Sequence, residues 1–173
     1  QNPIEQSGTF VLPEAQQDRF LLYIKIGYPT KQDEEAILKA TTGTLKKQLN
    51  KVMSGDDIIR LQQLVREVSI SDPLIGFVSD MIRATRPSTT TDTFVKEWVD
   101  WGAGPRAGQA MILTAKANAL LEGRLSVTLQ DIKSVALPVL RHRVLVNFRA
   151  EAEGITSDKI AIHLLEAIDI KGK

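Results

Sequence analysis

The stretch PRAGQAMILTAKANALLEG, residues 105–123, has the features of a long helix with a marked start and end. Proline is favoured at the first position of a helix, and glycine is favoured just beyond the last one. The apolar positions that recur at helical spacing between them are Ala110, Leu113, Ala117, Leu120 and Leu121. This pattern predicts one of the main helices of a helical domain.

Helix signals also dominate the rest of the chain. A short helix is predicted after Pro13, up to about Arg19. The predicted starts of the longer helices are Thr30, Ser54 or Asp56, the Asp72-Pro73 pair, Thr128 with Asp131, and Ser157. The best strand candidate is 21–26, which ends at Gly27-Tyr28-Pro29. The sequence therefore predicts a mainly α protein, a helical bundle with at most one or two short strands near the N-terminus.

Composition narrows the class of protein. The 173 residues include 22 Lys and Arg against 21 Asp and Glu, for a net charge of +1, and 43% are hydrophobic. This is the composition of an ordinary globular domain. The absence of cysteine excludes disulfides, thiolate catalysis and sulfur-bound zinc, and it fits a reducing compartment. The sequence opens on Gln1-Asn2-Pro3, from which we expect it to be part of a longer protein.

Residues 102–107, GAGPRA, match the dinucleotide-binding pattern G-x-G-x-x-A, and Glu122 lies near the expected acidic position. That pattern requires a preceding strand and a βαβ unit. The spacing of Phe94, Trp98 and Trp101 instead indicates a helix or an irregular turn, and no βαβ unit follows. We therefore reject this interpretation.

Several cations are candidates for binding phosphate. Arg106 lies in the first turn of its helix, where a cation opposes the helix dipole and where a phosphate would be well placed. The alternatives for Arg106 are a solvated side chain or a simple ion pair. For Arg19 the residues alone favour a simpler explanation, since a cation is favoured at the C-terminus of its acidic helix. The cluster Arg141-His142-Arg143 could contact phosphates or an acidic partner, or be a solvated helix end.

Several segments together carry a family resemblance. They are NPIEQSGT at 2–9, LPEAQQDRF at 12–20, IKIGYP at 24–29, GPRA at 104–107, AKA at 115–117 and PVLRHR at 138–143. With these segments the chain resembles the MoxR family of AAA+ ATPases. The resemblance covers nearly the whole chain and is most specific over residues 1–29.

The resemblance implies roles for three residues. Asn2 would be the sensor 1 residue that orients the attacking water. Arg19 would be the arginine finger that reaches the nucleotide of the adjacent subunit, and Arg106 would be the sensor 2 residue that contacts the γ-phosphate in its own subunit. Residues 1–29 would be the end of the ATPase core, and residues 30–173 would form the helical lid.

The resemblance also implies what surrounds the chain. The parent would be a cytoplasmic ring, a hexamer, that hydrolyses ATP with Mg²⁺ and remodels partner proteins in a chaperone-like way. A protein with a von Willebrand A domain would be among those partners. No phosphate-loop motif G-x-x-x-x-G-K-[ST] and no strand ending in Asp-Glu occurs in the sequence, so we expect no ATP hydrolysis and no bound cofactor for this chain alone.

Two functions without catalysis remain as alternatives. One is a helical nucleic-acid-binding module that uses Arg141, Arg143 and Arg149, although a net charge of +1 does not favour it. The other is a protein-interaction domain that uses Trp98, Trp101 and the Thr89–Asp92 linker.

Overall fold

The computed structural model describes residues 12–44 and 49–169. Within these residues the chain forms nine helices and two short strands. They are α1 (Glu14–Gln17), α2 (Lys31–Thr42), α3 (Gly55–Glu67), α4 (Asp72–Ala84), α5 (Thr93–Trp98), β1 (Val99–Trp101), α6 (Pro105–Leu121), α7 (Leu129–Leu140), β2 (Leu145–Val146), α8 (Phe148–Ala152) and α9 (Ser157–Asp169). The predicted mainly α fold is confirmed.

The described residues divide into two compact units, one of residues 12–23 with 64–169 and one of residues 24–44 with 49–63. The smaller unit contains α2 and most of α3. None of its described residues is buried, although both helices carry large apolar side chains such as Ile37, Leu38 and Ile58. The predicted division into 1–29 and 30–173 follows functional roles and stays a prediction.

The core of the larger unit lies among α4, α6, α7 and α9. Helix α6 packs against α7 and α4, and α9 packs against α7 and α4. The largest fully buried side chains include Met81, Met111, Ile132, Leu140, Ile160 and Leu164. Helix α6 presents a buried stripe that is mostly alanine, namely Ala107, Ala110, Met111, Ala115 and Ala119. The larger residue Leu121, predicted on the apolar pattern, is 86% exposed. Small residues let neighbouring helix backbones approach closely, so the contact face of α6 does not follow side-chain size.

Most predicted helix starts are confirmed by their caps. The Thr30 side chain accepts a hydrogen bond from the Asp33 amide, and Ser54 does the same for Asp57. Thr128 and Asp131 form a reciprocal capping box at α7. The last helix differs from the prediction. We predicted Ser157 as its cap, but the Lys159 amide donates to the Thr156 hydroxyl. The Ser157 hydroxyl instead donates to the Arg141 carbonyl.

The expected strand at 21–26 is wrong. These residues form no strand, and the Tyr23 amide instead donates to the Pro138 carbonyl at 2.8 Å. In the described residues the strands are β1 and β2, which pair antiparallel with an irregular register. We expected the short strands near the N-terminus, but β1 and β2 lie far from it in the sequence. A mostly apolar stretch of six residues indicates an extended segment, but its pairing depends on neighbours that the stretch does not specify.

Candidate functional site

A cavity of about 860 Å³ lies in the larger unit, between α1, the loop after β1, and the segment that follows α7. It is lined by Glu14, Ala15, Asp18, Arg19, Asp100, Trp101, Gly102, Gly104, Arg106, His142, Arg143, Leu145, Val146 and Glu151. Both predicted phosphate-contacting arginines, Arg19 and Arg106, are therefore on the wall of one cavity. Three arginines and four carboxylates line it, so the cavity alone is not a strongly basic anion site.

The loop from Gly102 to Gly104 places Arg106 at the cavity. A Cβ at Gly102 would lie 2.5 Å from the Thr85 carbonyl oxygen, so only glycine fits against the end of α4. The buried Thr85 hydroxyl accepts from the Ala103 amide at 2.9 Å, and Arg86 Nε donates to the Ala103 carbonyl at 2.9 Å. These contacts fix the point at which α6 begins and therefore fix the backbone of Arg106.

Arg106 makes an ion pair across the cavity wall. Its guanidinium donates to Asp18 Oδ2 at 3.2 Å, and the Arg106 side chain remains 56% exposed. The carboxylate offsets the unfavourable position of a cation in the first turn of α6. The sequence left open a phosphate ligand, a solvated side chain or an ion pair. The structure shows the ion pair, with enough exposure for a ligand to reach Arg106.

Arg143 is almost fully enclosed, with 2% of its side chain exposed. It donates to Asp18 Oδ1 at 3.1 Å and to the carbonyls of Asp18, Phe20, Leu21 and Val139. These bonds use all five N–H groups of a guanidinium. Burial lowers the pKa of Arg143, and the hydrogen bond that Arg143 donates to Asp18 opposes that change. The ordinary pKa of arginine is so far above neutral that Arg143 stays charged.

The two residues before Arg143 extend the same contact. His142 Nε2 lies 3.1 Å from the Phe20 carbonyl oxygen, and Arg141 donates to the Tyr23 carbonyl and to Asp158 at 2.8 Å each. Burial lowers the pKa of His142, and its Nδ1 is buried without a hydrogen-bond partner. We call residues 141–143 the clamp, because they hold the backbone of residues 18–23 against the end of α7.

The clamp corrects one expectation of the sequence. Arg141-His142-Arg143 was left open between a phosphate or acidic-partner contact and a solvated helix end. His142 and Arg143 are instead buried and bound to main-chain carbonyls. Sequence reasoning gives no role to Asp18 and does not predict a buried ion pair at Arg143. The concentration of cations beside a helix end is a signal for such a contact, but the groups that they bind in residues 18–23 lie more than 100 positions away.

Arg19 is exposed on the cavity wall directly beside the clamped backbone. Within the described part of the chain its guanidinium makes no hydrogen bond or ion pair. The turn that carries it is fixed on both sides, since Arg143 binds the carbonyls of Asp18 and Phe20. Asn2, the third predicted site residue, lies outside the described residues.

The short strand β1 corrects part of the argument against a dinucleotide site. We expected a helix or irregular turn before Gly102, and α5 is followed there by β1. However, β1 pairs only with β2, in an antiparallel two-stranded sheet. No βαβ unit exists in the described residues. The rejection of that site therefore stands on the topology and not on the absence of a strand.

The structure weakens both alternatives without catalysis. Arg141 and Arg143 are 16% and 2% exposed and already paired, so they cannot contact a nucleic-acid backbone. Trp98 is buried, Trp101 is 71% exposed, and Asp92 caps α5 while accepting from His163 at 2.8 Å. Only Trp101 of the proposed interaction residues is a free apolar surface.

The described residues show neither a metal centre nor a membrane-spanning helix. Among residues 12–44 and 49–169, no three His, Cys, Asp or Glu side chains are grouped so as to hold a metal ion. No helix in the same ranges has the length and apolar character needed to cross a membrane.

Comparisons with known proteins agree with this architecture. A family model of the AAA lid domain matches residues 91–162. Chaperone MoxR1 of Mycobacterium tuberculosis is 37% identical over 97% of this chain and 45% of its own length. Protein MoxR of Paracoccus denitrificans is 27% identical over 84% of this chain and 47% of its own length. The crystal structure of a "putative ATPase" from Cytophaga hutchinsonii has a TM-score of 0.89 and 34% identity, covering 96% of this chain and 51% of that one.

The part of the cavity wall that lies within residues 91–162 thus belongs to an AAA lid domain, which places the protein in the AAA+ class. The chain spans about half the length of the relatives it matches. Within the AAA+ class, the chain belongs to the MoxR family.

Proposed function

We propose that this chain is the lid-bearing part of an ATP-hydrolysing MoxR protein, and that the cavity holds half of its nucleotide site. The observation that supports this most directly is that the exposed guanidinium of Arg106 lies on the cavity wall at the N-terminus of α6, where a phosphate can reach it. Phosphoryl transfer depends mainly on positioning and on neutralising charge, which is what two arginines on rigid supports provide.

In this proposal Arg106 is the sensor 2 residue. It stands at the N-terminus of α6, where the free amides and the helix dipole favour an anion. Its guanidinium is exposed enough to reach a terminal phosphate, and the loop at Gly102 fixes its backbone. When a nucleotide binds, Arg106 would contact the γ-phosphate and link its charge to the position of the lid.

Arg19 is proposed as the arginine finger and Asn2 as the sensor 1 residue. The clamp supports the role of Arg19, because it fixes the backbone on both sides while the guanidinium stays exposed. An arginine finger is worth roughly 10³–10⁵ in rate, but only if it is held in a defined place. Asn2 would orient the attacking water.

Mg²⁺ and the phosphate loop would be supplied by other parts of the full-length protein. The described residues offer no group of carboxylates for Mg²⁺, and the sequence has no phosphate-loop motif. Bound Mg²⁺ neutralises the charge that develops on the phosphate oxygens. The four carboxylates of the cavity would also oppose phosphate binding by this half alone. We therefore expect no ATP hydrolysis by the isolated chain.

The biological role that fits this machinery is chaperone-like remodelling of partner proteins by a ring of subunits. One relative carries the description chaperone, which supports that part of the proposal. A hexameric ring, a cytoplasmic location and a partner with a von Willebrand A domain belong to the same proposal. The lid would convert nucleotide state into movement between subunits.

A mixed-ring assay tests the central claim in the full-length protein. One preparation carries Arg19→Ala, and the other carries a disabled phosphate loop. Each alone should hydrolyse ATP at a small fraction of the normal rate. If Arg19 acts on the neighbouring subunit, mixing restores activity, because an intact phosphate loop then meets an intact Arg19. No recovery in a mixture shown to co-assemble would contradict the role in trans.

A second measurement tests Arg106. Arg106→Gln should weaken binding of a non-hydrolysable ATP analogue more than binding of ADP, because only the analogue presents a γ-phosphate. Arg149→Gln is a matched control, since Arg149 is also exposed and does not line the cavity. Equal weakening of both nucleotides by Arg106→Gln would argue against a γ-phosphate contact.

A further inference from the structure

The proposed γ-phosphate ligand, Arg106, already has an anionic partner within the chain. Its NH1 group lies 3.2 Å from Asp18 Oδ2, and the two side chains are 56% and 27% exposed. An ion pair this open to water contributes little to stability. Arg106 can therefore leave Asp18 at small cost when a better anion arrives.

The other oxygen of Asp18 is held in a different way. Oδ1 accepts from Arg143 Nε at 3.1 Å, and Arg143 is fixed by four main-chain carbonyls. The Asp18 carboxylate thus bonds two guanidinium groups, the enclosed one of Arg143 and the exposed one of Arg106. If the contact breaks, the geometry requires that Arg106 moves and that Asp18 stays with Arg143.

We propose that Asp18 is a positioning residue for Arg106: its carboxylate holds the guanidinium at the cavity wall until the terminal phosphate of a nucleotide takes Arg106 from it. This inference rests on the proposed function. A terminal phosphate offers more negative charge and more acceptor oxygens than one carboxylate, so it wins the exchange. A nucleoside diphosphate has no group at that position and leaves Arg106 on Asp18.

The exchange has a measurable consequence, because Asp18 competes with the phosphate for Arg106. Removing the charge of Asp18 should tighten binding of a triphosphate and leave binding of a diphosphate nearly unchanged. Exposed ion pairs of this type correspond to a factor of up to about 5 in an equilibrium constant. A purely structural role for Asp18 would weaken both nucleotides instead.

The test uses the full-length protein with Mg²⁺ and calorimetric titration of a non-hydrolysable ATP analogue and of ADP. Asp18→Asn, which can still accept a bond from Arg143, should bind the analogue about two- to fivefold more tightly and ADP within about 1.5-fold of normal. The gain should vanish in the Arg106→Gln background. Glu14→Gln is the matched control, since Glu14 lines the same cavity and makes no ion pair with Arg106 in the described residues.

Three results would overturn the inference. They are unchanged or weaker binding of the analogue by Asp18→Asn, an equal gain for ADP, and an equal gain in Glu14→Gln or in the Arg106→Gln background. If Arg106→Gln weakens the analogue selectively while Asp18→Asn does not strengthen it, the inference fails and the proposed function stands. If Arg106→Gln has no selective effect, the proposed function fails first.

A measurement on the unaltered protein does not depend on whether Asp18→Asn folds. Crystal structures with ADP and with the analogue should differ at Arg106. With ADP, Arg106 should remain on Asp18. With the analogue, its guanidinium should be on the terminal phosphate while Asp18 keeps its bond to Arg143. Arg106 still paired with Asp18 in the analogue complex would overturn the inference.

Discussion

Replacing Arg143 by methionine should detach residues 18–23 from the end of α7. The substitution keeps a similar length and removes five donors, which leaves the Asp18 carboxylate and four carbonyls without their partner. Removing one partner of a buried ion pair costs roughly 3–5 kcal/mol. Asp18 is 27% exposed, so water can partly replace Arg143. We therefore expect the lower end of that range, about 3 kcal/mol.

Urea unfolding at neutral pH measures this loss, and thermal unfolding should show a fall in Tm of about 6–12 °C. Arg149→Met is the control, because Arg149 is 66% exposed and its ion pairs are exposed too, so about 1 kcal/mol or less is expected. Hydrogen exchange should also show faster exchange of the Tyr23 amide, which the Pro138 carbonyl protects. A loss no greater than that of the control, or unchanged protection of Tyr23, would refute the clamp.

Three further changes test other parts of the site. Gly102→Ala should lower the free energy of unfolding in urea by about 2–4 kcal/mol, because its Cβ would meet main-chain atoms at 2.5 Å and 2.7 Å. Gly104→Ala is the control and should change the free energy of unfolding little, because a Cβ there has open space. Asp131→Asn should lower the free energy of unfolding by about 2–3 kcal/mol, because the amide keeps only one acceptor oxygen for the two 2.7 Å bonds from Arg124, removes the charge of the ion pair and weakens the cap of α7. The Arg124 guanidinium also lowers the pKa of Asp131, so this stabilisation should fade as the pH falls through the acid range. A flat acid profile in the wild type would contradict the assignment. Burial lowers the pKa of His142 from its ordinary value of 6.5, so the unfolded chain binds the proton more readily than the folded one. The free energy of unfolding should therefore decrease as the pH falls below about 6.5. His142→Asn should reduce this pH dependence, measured by urea unfolding at several pH values.

The parts of the fold that depend on near neighbours in sequence could be predicted. Thr30 and the Thr128–Asp131 pair signal helix starts through atoms three positions apart, and both caps are present. The start of α6 at Pro105 follows from the same kind of local rule. The buried face of α6 could not be predicted in this way. The alanines of α6 are buried because α4 and α7 pack against that face. A pattern of apolar residues does not show which helices will pack there.

The candidate site shows the same division between local and distant causes. Arg106 could be singled out because a cation in the first turn of a helix violates a local preference. The role of Arg143 depends on Asp18, 125 positions earlier in the sequence. The residues next to Arg143 give no sign that it forms a buried ion pair. The missing strand at 21–26 has the same origin, since Tyr23 bonds to Pro138 and not to a neighbouring strand.

The clamp recognises peptide groups more than side chains. Arg141, His142 and Arg143 bind the carbonyl oxygens of Asp18, Phe20, Leu21 and Tyr23, groups that every amino acid possesses. Phe20 and Leu21 can therefore change identity over evolutionary time while the path of the chain beside Arg19 is preserved. Tyr23 and Leu22 are more constrained, because the Tyr23 ring stacks on His142 and Leu22 packs against the core.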